Sequence, residues 1–300
     1  MLKIVKQSIG VRISLFINII LIVVISAGFV VIYMQQEQNL ENQFKTQGKM
    51  ASMLGAKGVG TIIEEAIDNG TLTLEEAFDA ITIPIPGFDP PKFQTRYDEY
   101  LDKAVLSFID KALESEEILY AKFHDKNGYL PTHNSRYQQE ITGNRETDLK
   151  GNRTKRILSD KVAENAITNK EDGFFQVYHR DTGEIVWDFS SPLFVKGTHW
   201  GCFRTGILLD KVKIAKKKSM IILIIIFITI IGVSVVTVIL MTGRALSPLN
   251  DFVRIASALA DGNIDKPIEA KTSDELGRLA DALERLRVSL NAAMNRLKRR

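Results

Sequence analysis

The sequence of 300 residues contains few of the residues that form disulfides or hold cofactors. Its single cysteine, Cys202, excludes an intramolecular disulfide, a CxxC zinc site and a CxxCH haem attachment site. The four histidines form no HExxH motif or comparable metal-binding spacing. Because no nucleophile–base pair or metal-ligand set is visible, we expect neither a resident cofactor nor an enzyme.

The chain also lacks a strong excess of either charge. It has 39 Lys+Arg against 36 Asp+Glu, a net charge of +3, so we expect no nucleic-acid partner. A hydrophobic content of 45% with 25% charged residues is typical of a folded protein and excludes general disorder. Prolines are scarce, and four of the eight lie within residues 84–91, which predicts a loop there.

Two long segments contain no charged residue, namely 13–34 and 219–241. A helix needs about 20 apolar residues to cross a membrane, so both segments are predicted to be transmembrane helices. The first is longer than the apolar region of about 7–15 residues in a signal peptide, and no small-x-small cleavage site follows it. We therefore expect it to remain in the mature protein.

The distribution of Lys and Arg predicts the orientation. Residues 1–12 carry three basic and no acidic residues, and 244–300 carry 11 basic and 8 acidic residues. The positive-inside rule then places both ends in the cytoplasm and residues 35–218 outside. Five lysines between 211 and 218 oppose this orientation, but long loops are translocated largely regardless of their charge.

The outer segment is predicted to begin with helices and to continue with strands. Helical patterns cover residues 35–69 and 93–113, and a capping box at Thr73–Glu76 opens a short helix between them. Strands separated by turn sequences are predicted at 118–124, 174–178, 184–189, 192–195 and 199–208, with a helix near 154–167. The expected fold class is α+β, with helices packed on one face of an antiparallel sheet.

Residues 118–209 resemble a known sensor family. The segments that carry the resemblance are GYLPTHN (128–134), TGN (142–144), NRTKRI (152–157), QVYHRDTGE (176–184), DFSSPLFV (188–195) and HWGCFRTG (199–206). They are similar to the extracytoplasmic PAS/Cache-type sensor of bacterial methyl-accepting chemotaxis receptors. The resemblance implies a two-pass protein of the bacterial inner membrane, with a ligand pocket between the sheet and the loops and helices that cover it.

The tail after the second apolar segment has two apolar seams with alternating spacings of three and four. Their members are Leu246, Leu249, Val253, Ala256 and Ala260, then Leu276, Leu279, Leu283, Leu286, Leu290, Ala293 and Leu297. Such seams need a partner helix. Asp261-Gly262-Asn263 separates them, and Thr272-x-x-Glu275 is a capping box that restarts the helix.

Residues 243–296 resemble the HAMP linker of receptors and sensor kinases. The resemblance implies a parallel four-helix bundle formed by a homodimer. No kinase-control hairpin or kinase core follows up to Arg300, so we expect a separate signalling protein, a chemoreceptor or a kinase, to receive the signal. The expected organisation is a cytoplasmic N-terminus at 1–12, spans at 13–34 and 219–241, a sensor domain at 35–218 and a HAMP domain at 242–300.

A candidate binding site is the basic run Arg153, Lys155 and Arg156, because arginine presents a planar fork that suits carboxylates. A sensor for a small anion would place such donors beside aromatic walls. An alternative is that the run is only a solvated helix start. Together with the family resemblance, these considerations give six candidate ligand-binding residues: His133, Arg153, Arg156, Tyr178, Trp200 and Arg204.

Three functional hypotheses follow from the sequence. The first is a homodimeric receptor that binds a small molecule outside the membrane and relays a conformational change through the HAMP linker. The second is an adaptor subunit whose outer domain binds a partner protein. The third is a haem or redox sensor without covalent attachment, with His133 or His199 as the ligand. The expected partners are a second copy of the chain, a small-molecule ligand, membrane lipid and the separate signalling protein.

Overall fold

The computed structural model describes residues 9–263, 266–269 and 273–298. The chain divides into two compact units. One unit is Tyr33–Ile221, and the other combines Met1–Ile32 with Ile222–Arg300. Two long helices run through both units, so each expected span is part of a longer helix.

The α-helices, in chain order, are α1 Ile9–Asp68, α2 Leu74–Ala77, α3 Asp98–Ala104, α4 Leu106–Asp110, α5 Arg145–Gly151, α6 Lys161–Thr168, α7 Leu209–Ala260 and α8 Glu275–Lys298. Short 3-10 helices cover Lys111–Glu114 and Ser135–Tyr137. The apolar windows of α1 and α7 are long enough to cross a membrane and are almost entirely exposed. The expected span 13–34 lies within α1, and the expected span 219–241 lies within α7.

The strands are β1 Ile83–Ile85, β2 Lys92–Gln94, β3 Ile118–Asp125, β4 Tyr129–Leu130, β5 Arg156–Ile157, β6 Phe174–His179, β7 Ile185–Val195 and β8 Thr198–Leu208. Four of them form one antiparallel sheet in the order β3-β8-β7-β6. The pairs β1-β2 and β4-β5 form two small additional sheets. The predicted α+β class, with long helices and an antiparallel sheet, is confirmed.

Helix α1 packs closely against one face of the sheet, and its glycines make this close packing possible. A Cβ atom on Gly55 would lie 2.2 Å from the ring of Phe203, and one on Gly48 would lie 2.2 Å from the ring of Phe189. Both rings are buried. Because glycine has no side chain, the helix backbone approaches the sheet at these two positions.

Two of the predicted helices are shorter than expected. The helix predicted at 93–113 begins only at Asp98, because residues 92–94 pair with β1. The helix predicted near 154–167 begins only at Lys161, because residues 156–157 pair with β4 and Asp160 caps the helix. Lys155 has a φ of 63°, which a helix does not allow.

The two short strands predicted at 184–189 and 192–195 form a single strand, β7. Pro192 lies within it although proline lacks the N–H that a central strand uses. The pairing of β6 with β7 ends at Ser190, so Pro192 has a strand neighbour on one side only, where it pairs with Cys202.

The tail buries a small apolar core within one chain. Leu259, Ile268 and Ala280 are buried together, and partly buried side chains from α7 and α8 pack against them. Asp274 caps α8 by accepting a hydrogen bond of 3.0 Å from the backbone N–H of Leu276. The capping-box residue Thr272 lies outside the described residues.

Candidate functional site

The two faces of the sheet differ in chemistry, because side chains alternate between the faces along each strand. The face toward α1 carries an apolar core that includes Phe123 and Phe203. The opposite face, here called the polar face, carries buried side chains from all four strands: Tyr120, Lys122, His124, Tyr178, Asp188, Ser190, Cys202 and Arg204. A layer of polar and charged groups is therefore enclosed within the domain.

A fully buried ion pair lies at the centre of the polar face. The Arg204 Nε donates to both carboxylate oxygens of Asp188, at 3.1 and 3.2 Å, and neither residue is exposed. The Tyr120 hydroxyl donates to the same carboxylate. Burial by itself would lower the pKa of Arg204, but the adjacent Asp188 outweighs it and raises that pKa. Arg204 therefore stays charged.

Lys122 is a second buried cation, directly opposite Arg204 on the neighbouring strand β3. It is 3% exposed, and its ammonium lies 4.7 Å from the centre of the Tyr120 ring. Among the described residues, its ammonium contacts the Tyr120 ring and forms no ion pair with a carboxylate. Burial, followed by the charges of Arg204 and Arg153, holds the pKa of Lys122 well below its usual value.

Two further arginines and two aromatic residues cover the polar face. Arg180 lies 5.8 Å from the Tyr120 ring and donates to the Tyr137 hydroxyl at 3.1 Å. The His133 ring lies 4.7 Å from that of Tyr137, and the His133 backbone bridges to Lys122. Arg153, whose backbone N–H donates to the Tyr137 carbonyl at 2.8 Å, completes the cover.

Positive charge exceeds negative charge within this region. Arg153 pairs with Asp181 at 2.9 Å, and Arg180 pairs with Glu184 at 3.4 Å. Both carboxylates are partly in solvent, with side chains 43% and 37% exposed. The region therefore holds four buried basic side chains but a single fully buried carboxylate, Asp188, which pairs with Arg204. This arrangement is suited to binding an anion, because buried charges need a partner of the opposite sign.

Several buried polar atoms of the polar face and its cover lack a hydrogen-bond partner among the described residues. They are both ring nitrogens of His124, the Ser190 Oγ, the Asn134 Nδ2 and the Arg204 Nη1. Burial lowers the pKa of His124 and of His133 well below the usual value, and the charge of Lys122 adds to this effect. Both histidines are therefore neutral, and the ring nitrogens of His124 are available to a polar ligand or to water.

The structure brings together four of the six candidate residues. Tyr178 and Arg204 belong to the polar face, where the Arg204 guanidinium lies 5.5 Å from the Tyr178 ring. His133 and Arg153 belong to its cover, through the backbone bridge of His133 to Lys122 and the backbone hydrogen bond of Arg153 to Tyr137. The remaining two, Trp200 and Arg156, lie elsewhere in the domain.

Trp200 faces the apolar core rather than the polar face. Its Nε1 donates to the Ala77 carbonyl at 2.7 Å, and its ring packs beside Tyr97 and Phe123. The cause is a bulge: Leu193 pairs with Gly201 and Phe194 with His199, so Trp200 has no partner on β7. An extra residue in a strand turns side chains to the other face, which strict alternation does not predict.

Arg156 lies in a separate cleft beside the proline-rich loop. The cleft has a volume of about 210 Å³, and its other walls include Phe88, Lys92 and Asp148. The Arg156 Nη2 donates to the Asp148 carbonyl at 3.1 Å. The basic run of the sequence therefore divides, with Arg153 at the cover of the polar face and Arg156 in this cleft.

Sequence reasoning missed Tyr120, Lys122 and Asp188, which are central to the polar face. The available signal was the charged residue in the middle of each apolar strand, since Lys122 interrupts β3 and Asp188 interrupts β7. A charged residue between apolar neighbours in a central strand is costly to bury, so it indicates a pairing or a binding site. The pairing of these strands through β8 could not be read from the sequence.

Neither histidine of the haem hypothesis belongs to a metal-binding group. His133 bonds Asn134 through Nδ1, and His199 pairs with Phe194, whose ring lies 5.5 Å away. Within the ranges 9–263, 266–269 and 273–298, no group of three His, Cys, Asp or Glu side chains could hold a metal ion.

The family comparison identifies the tail. Residues 240–292 match the family model of the HAMP domain. The chain therefore combines a HAMP domain with two apolar helices that flank an antiparallel sheet domain. These are the parts of a transmembrane sensor that transduces a signal. No curated protein sequence matches the chain.

Among solved structures, similarity is found to the ligand-binding domain of the Campylobacter jejuni chemoreceptor Tlp3 in complex with 4-methylisoleucine. The identity is 12% and the TM-score 0.38, over 60% of this chain and 57% of that one. The sensory domain of the same chemoreceptor with isoleucine bound matches at 12% identity and a TM-score of 0.29, over 59% of this chain and 64% of that one. The chain thus spans less than two thirds of the length of either structure.

Proposed function

We propose that the chain is a two-pass receptor that binds a small molecule carrying a carboxylate or a similarly compact anion at the polar face. Binding changes the packing of the HAMP domain, which passes the signal to a separate protein. The single observation that carries this proposal is the buried Lys122, which lies directly opposite Arg204 and has no carboxylate partner among the described residues. Like charges directly opposite each other on neighbouring strands destabilise a sheet, and an anion between them would reverse that effect.

The proposed route of the signal follows the chain. Strand β8, which carries Arg204, ends at Leu208, and α7 begins at the next residue, Leu209. A ligand that moves Arg204 would therefore move the start of α7 without an intervening loop. Helix α7 contains the second apolar segment and enters the HAMP match at residue 240. The ligand acts only if it binds one of two packings more tightly than the other.

The proposed orientation has both ends in the cytoplasm of a bacterium and the sheet domain outside. It is supported by the excess of basic residues in 1–12 and 244–300. The ion pairs of Lys216 with Glu41 at 2.9 Å and with Glu37 at 3.5 Å also reduce the positive charge of the lysine group near the second apolar segment. We further propose that the receptor is a homodimer in contact with membrane lipid.

The proposal is tested with the full chain in lipid nanodiscs. Tryptophan fluorescence follows thermal unfolding while organic acids, amino acids and amines are added in turn. We expect one or more carboxylates to raise the unfolding temperature, because a ligand that binds the folded state stabilises it. The two tryptophans, Trp187 and Trp200, both lie in the sheet domain.

Two variants test whether the stabilising carboxylate binds at the polar face. Lys122→Gln removes the buried charge and should weaken the carboxylate roughly ten- to a hundredfold, the usual effect of losing a charged hydrogen bond. Lys126→Gln is the matched control, because Lys126 directly follows the same strand and is exposed. Stabilisation by no compound, together with capture of a protein partner, would instead support the adaptor hypothesis.

A further inference from the structure

The cleft that contains Arg156 lies outside the polar face and has its own charge arrangement. Its volume is about 210 Å³, and the side chains that matter for its chemistry are Phe88, Lys92, Ile141, Arg145, Asp148 and Arg156. The proline-rich loop forms one wall, and the segment that leads into α5 forms the other.

Two cations of this cleft are buried without a carboxylate partner. Lys92 is 5% exposed, and its ammonium donates to two neutral oxygens, the Asn152 Oδ1 and the Thr154 carbonyl. Arg156 is 6% exposed, and its Nη2 donates only to backbone carbonyls. The buried Arg156 Nε has no hydrogen-bond partner among the described residues. Neither cation therefore has a carboxylate in direct contact in the described part of the chain.

The acidic groups of the cleft are engaged elsewhere. The Asp148 carboxylate accepts hydrogen bonds from the Thr142 backbone and hydroxyl at 2.8 Å, and from the Gly143 backbone at 3.0 Å. Asp89 pairs with Arg145 at the rim, at 2.8 Å, and both side chains are 68% exposed. In the described part of the chain, neither carboxylate lies within ion-pair distance of Lys92 or Arg156, although the charge of Asp148 acts on both.

Burial disfavours the charged forms of Lys92 and Arg156. Burial, together with the charges of Arg156 and Lys155, lowers the pKa of Lys92 to about 8. Burial and the charge of Arg153 lower the pKa of Arg156 to about 10. An anion held between the two side chains would oppose both effects, because an opposite charge favours the charged form.

Apolar groups stand beside these cations. The Phe88 ring is half-buried, and its centre lies 5.7 Å from the Lys92 ammonium. Ile141, on the other wall, is 42% exposed. A hydrated inorganic anion gains nothing from such walls, whereas an organic acid buries its apolar part against them.

We propose that this cleft is a second binding site, specific for a small carboxylate with an apolar substituent. The Lys92 ammonium and the Arg156 guanidinium hold the carboxylate, and Phe88 and Ile141 contact the substituent. The site is independent of the polar face, so it does not rest on the function proposed above.

The test uses benzoate as the probe and the full chain in nanodiscs, with Lys122→Gln present throughout to weaken any binding at the polar face. Scintillation proximity with labelled benzoate should show one saturable site. Adding Arg156→Gln or Lys92→Gln should weaken benzoate binding roughly ten- to a hundredfold. Lys103→Gln is the control and should leave it unchanged, since Lys103 is exposed and paired with Glu99 on α3.

A variant at Ile141 tests the cleft without removing a charge. Ile141→Trp fills the volume from its exposed wall and should abolish benzoate binding while the unfolding temperature of the unliganded protein stays the same. Inorganic phosphate should compete with benzoate only weakly. Absence of benzoate binding, binding that survives both Arg156→Gln and Ile141→Trp, or equal competition by phosphate would each overturn the proposal.

Discussion

At the scale of single residues, Asp188 is the counter-charge that allows Arg204 to be buried in the sheet domain. It is fully buried and accepts hydrogen bonds from Arg204 and Tyr120. Removing one partner of a buried ion pair leaves the other charge without compensation, which is far more costly than losing a surface pair.

We therefore expect Asp188→Asn to lower the free energy of unfolding by about 3–5 kcal/mol. Denaturant unfolding followed by tryptophan fluorescence measures the change. Asp210→Asn, whose side chain is 73% exposed, is the control and should have little effect. The double variant Asp188→Asn/Lys122→Met should recover part of the loss because it removes a like charge. Equal stability of Asp188→Asn and the parent protein would show that Arg204 has another counter-charge.

The lowered pKa of Lys122 links both stability and binding to pH. Because its folded-state pKa lies well below its ordinary value of 10.5, the unfolded chain binds more protons between those two values. Stability contributed by Lys122 therefore rises with pH through this window and is lost as the pH falls through the folded-state pKa.

An anion that pairs with Lys122 raises that pKa, so binding takes up a proton when the assay pH lies above the unliganded value. We expect the calorimetric enthalpy of binding to depend on the ionisation enthalpy of the buffer, with a slope that indicates proton uptake. Lys122→Gln should remove the slope, and Lys126→Gln should retain it. A wild-type slope of zero across the neutral and alkaline range would contradict the role of Lys122.

At the scale of elements, the sequence was most informative where a local signal and the global fold agree. The hairpin turns at Asp181–Gly183 and Lys196–Gly197 were predictable, because glycine adopts the positive φ that each turn requires. The part of α1 after residue 34 followed from its lack of strand-forming residues, and the part within 13–34 from its apolar length. The order of strands in the sheet did not, because it depends on pairings between distant segments.

The candidate site was predictable only in part for the same reason. Arg204, Tyr178 and His133 lie in segments whose resemblance to a sensor family was visible. The displacement of Trp200 results from a one-residue bulge between β7 and β8, which leaves no mark in the hydrophobic pattern. The separation of Arg156 from Arg153 depends on the pairing of β5 with β4.

The packing of α1 on the sheet is tested by Gly55→Ala. The added Cβ would meet the Phe203 ring, which is 2% exposed and cannot move aside. We expect a loss of about 1–3 kcal/mol in the free energy of unfolding. Thr61→Ala, at an exposed position of the same helix, should change it by less than about 0.5 kcal/mol. Similar values for the two variants would show that α1 does not contact the sheet at Gly55.

At the scale of the whole molecule, the apolar residues of the tail divide into an intrachain core and an exposed set. The α7 residues that pack with Leu283 of α8 within one chain are Phe252, Ile255 and Leu259, which are not members of the predicted α7 seam. The seam residues Val253, Ala256 and Ala260 are exposed. Leu279, Leu286 and Val253 remain exposed, at 39%, 51% and 63%. An apolar stripe of this kind is buried most simply by a second copy of the same chain.

We expect a cysteine at Leu286, introduced with Cys202→Ala, to form a disulfide with its counterpart in a second chain readily in membranes under mild oxidation. A cysteine at Arg285, which is exposed and adjacent, should form the cross-link more slowly. The exposed stripe would then be the homodimer interface. Equal rates at the two positions would show that the stripe packs on another protein.

The measurement that tests the central claim most directly is the cross-linking rate at Leu286→Cys with and without the carboxylate that stabilises the sheet domain. The account predicts that saturating ligand changes this rate, because binding at Lys122 and Arg204 shifts β8 and α7 and thereby the HAMP packing. The change should disappear in Lys122→Gln and persist in Lys126→Gln. A rate that stays constant while the ligand demonstrably occupies the polar face would contradict the account.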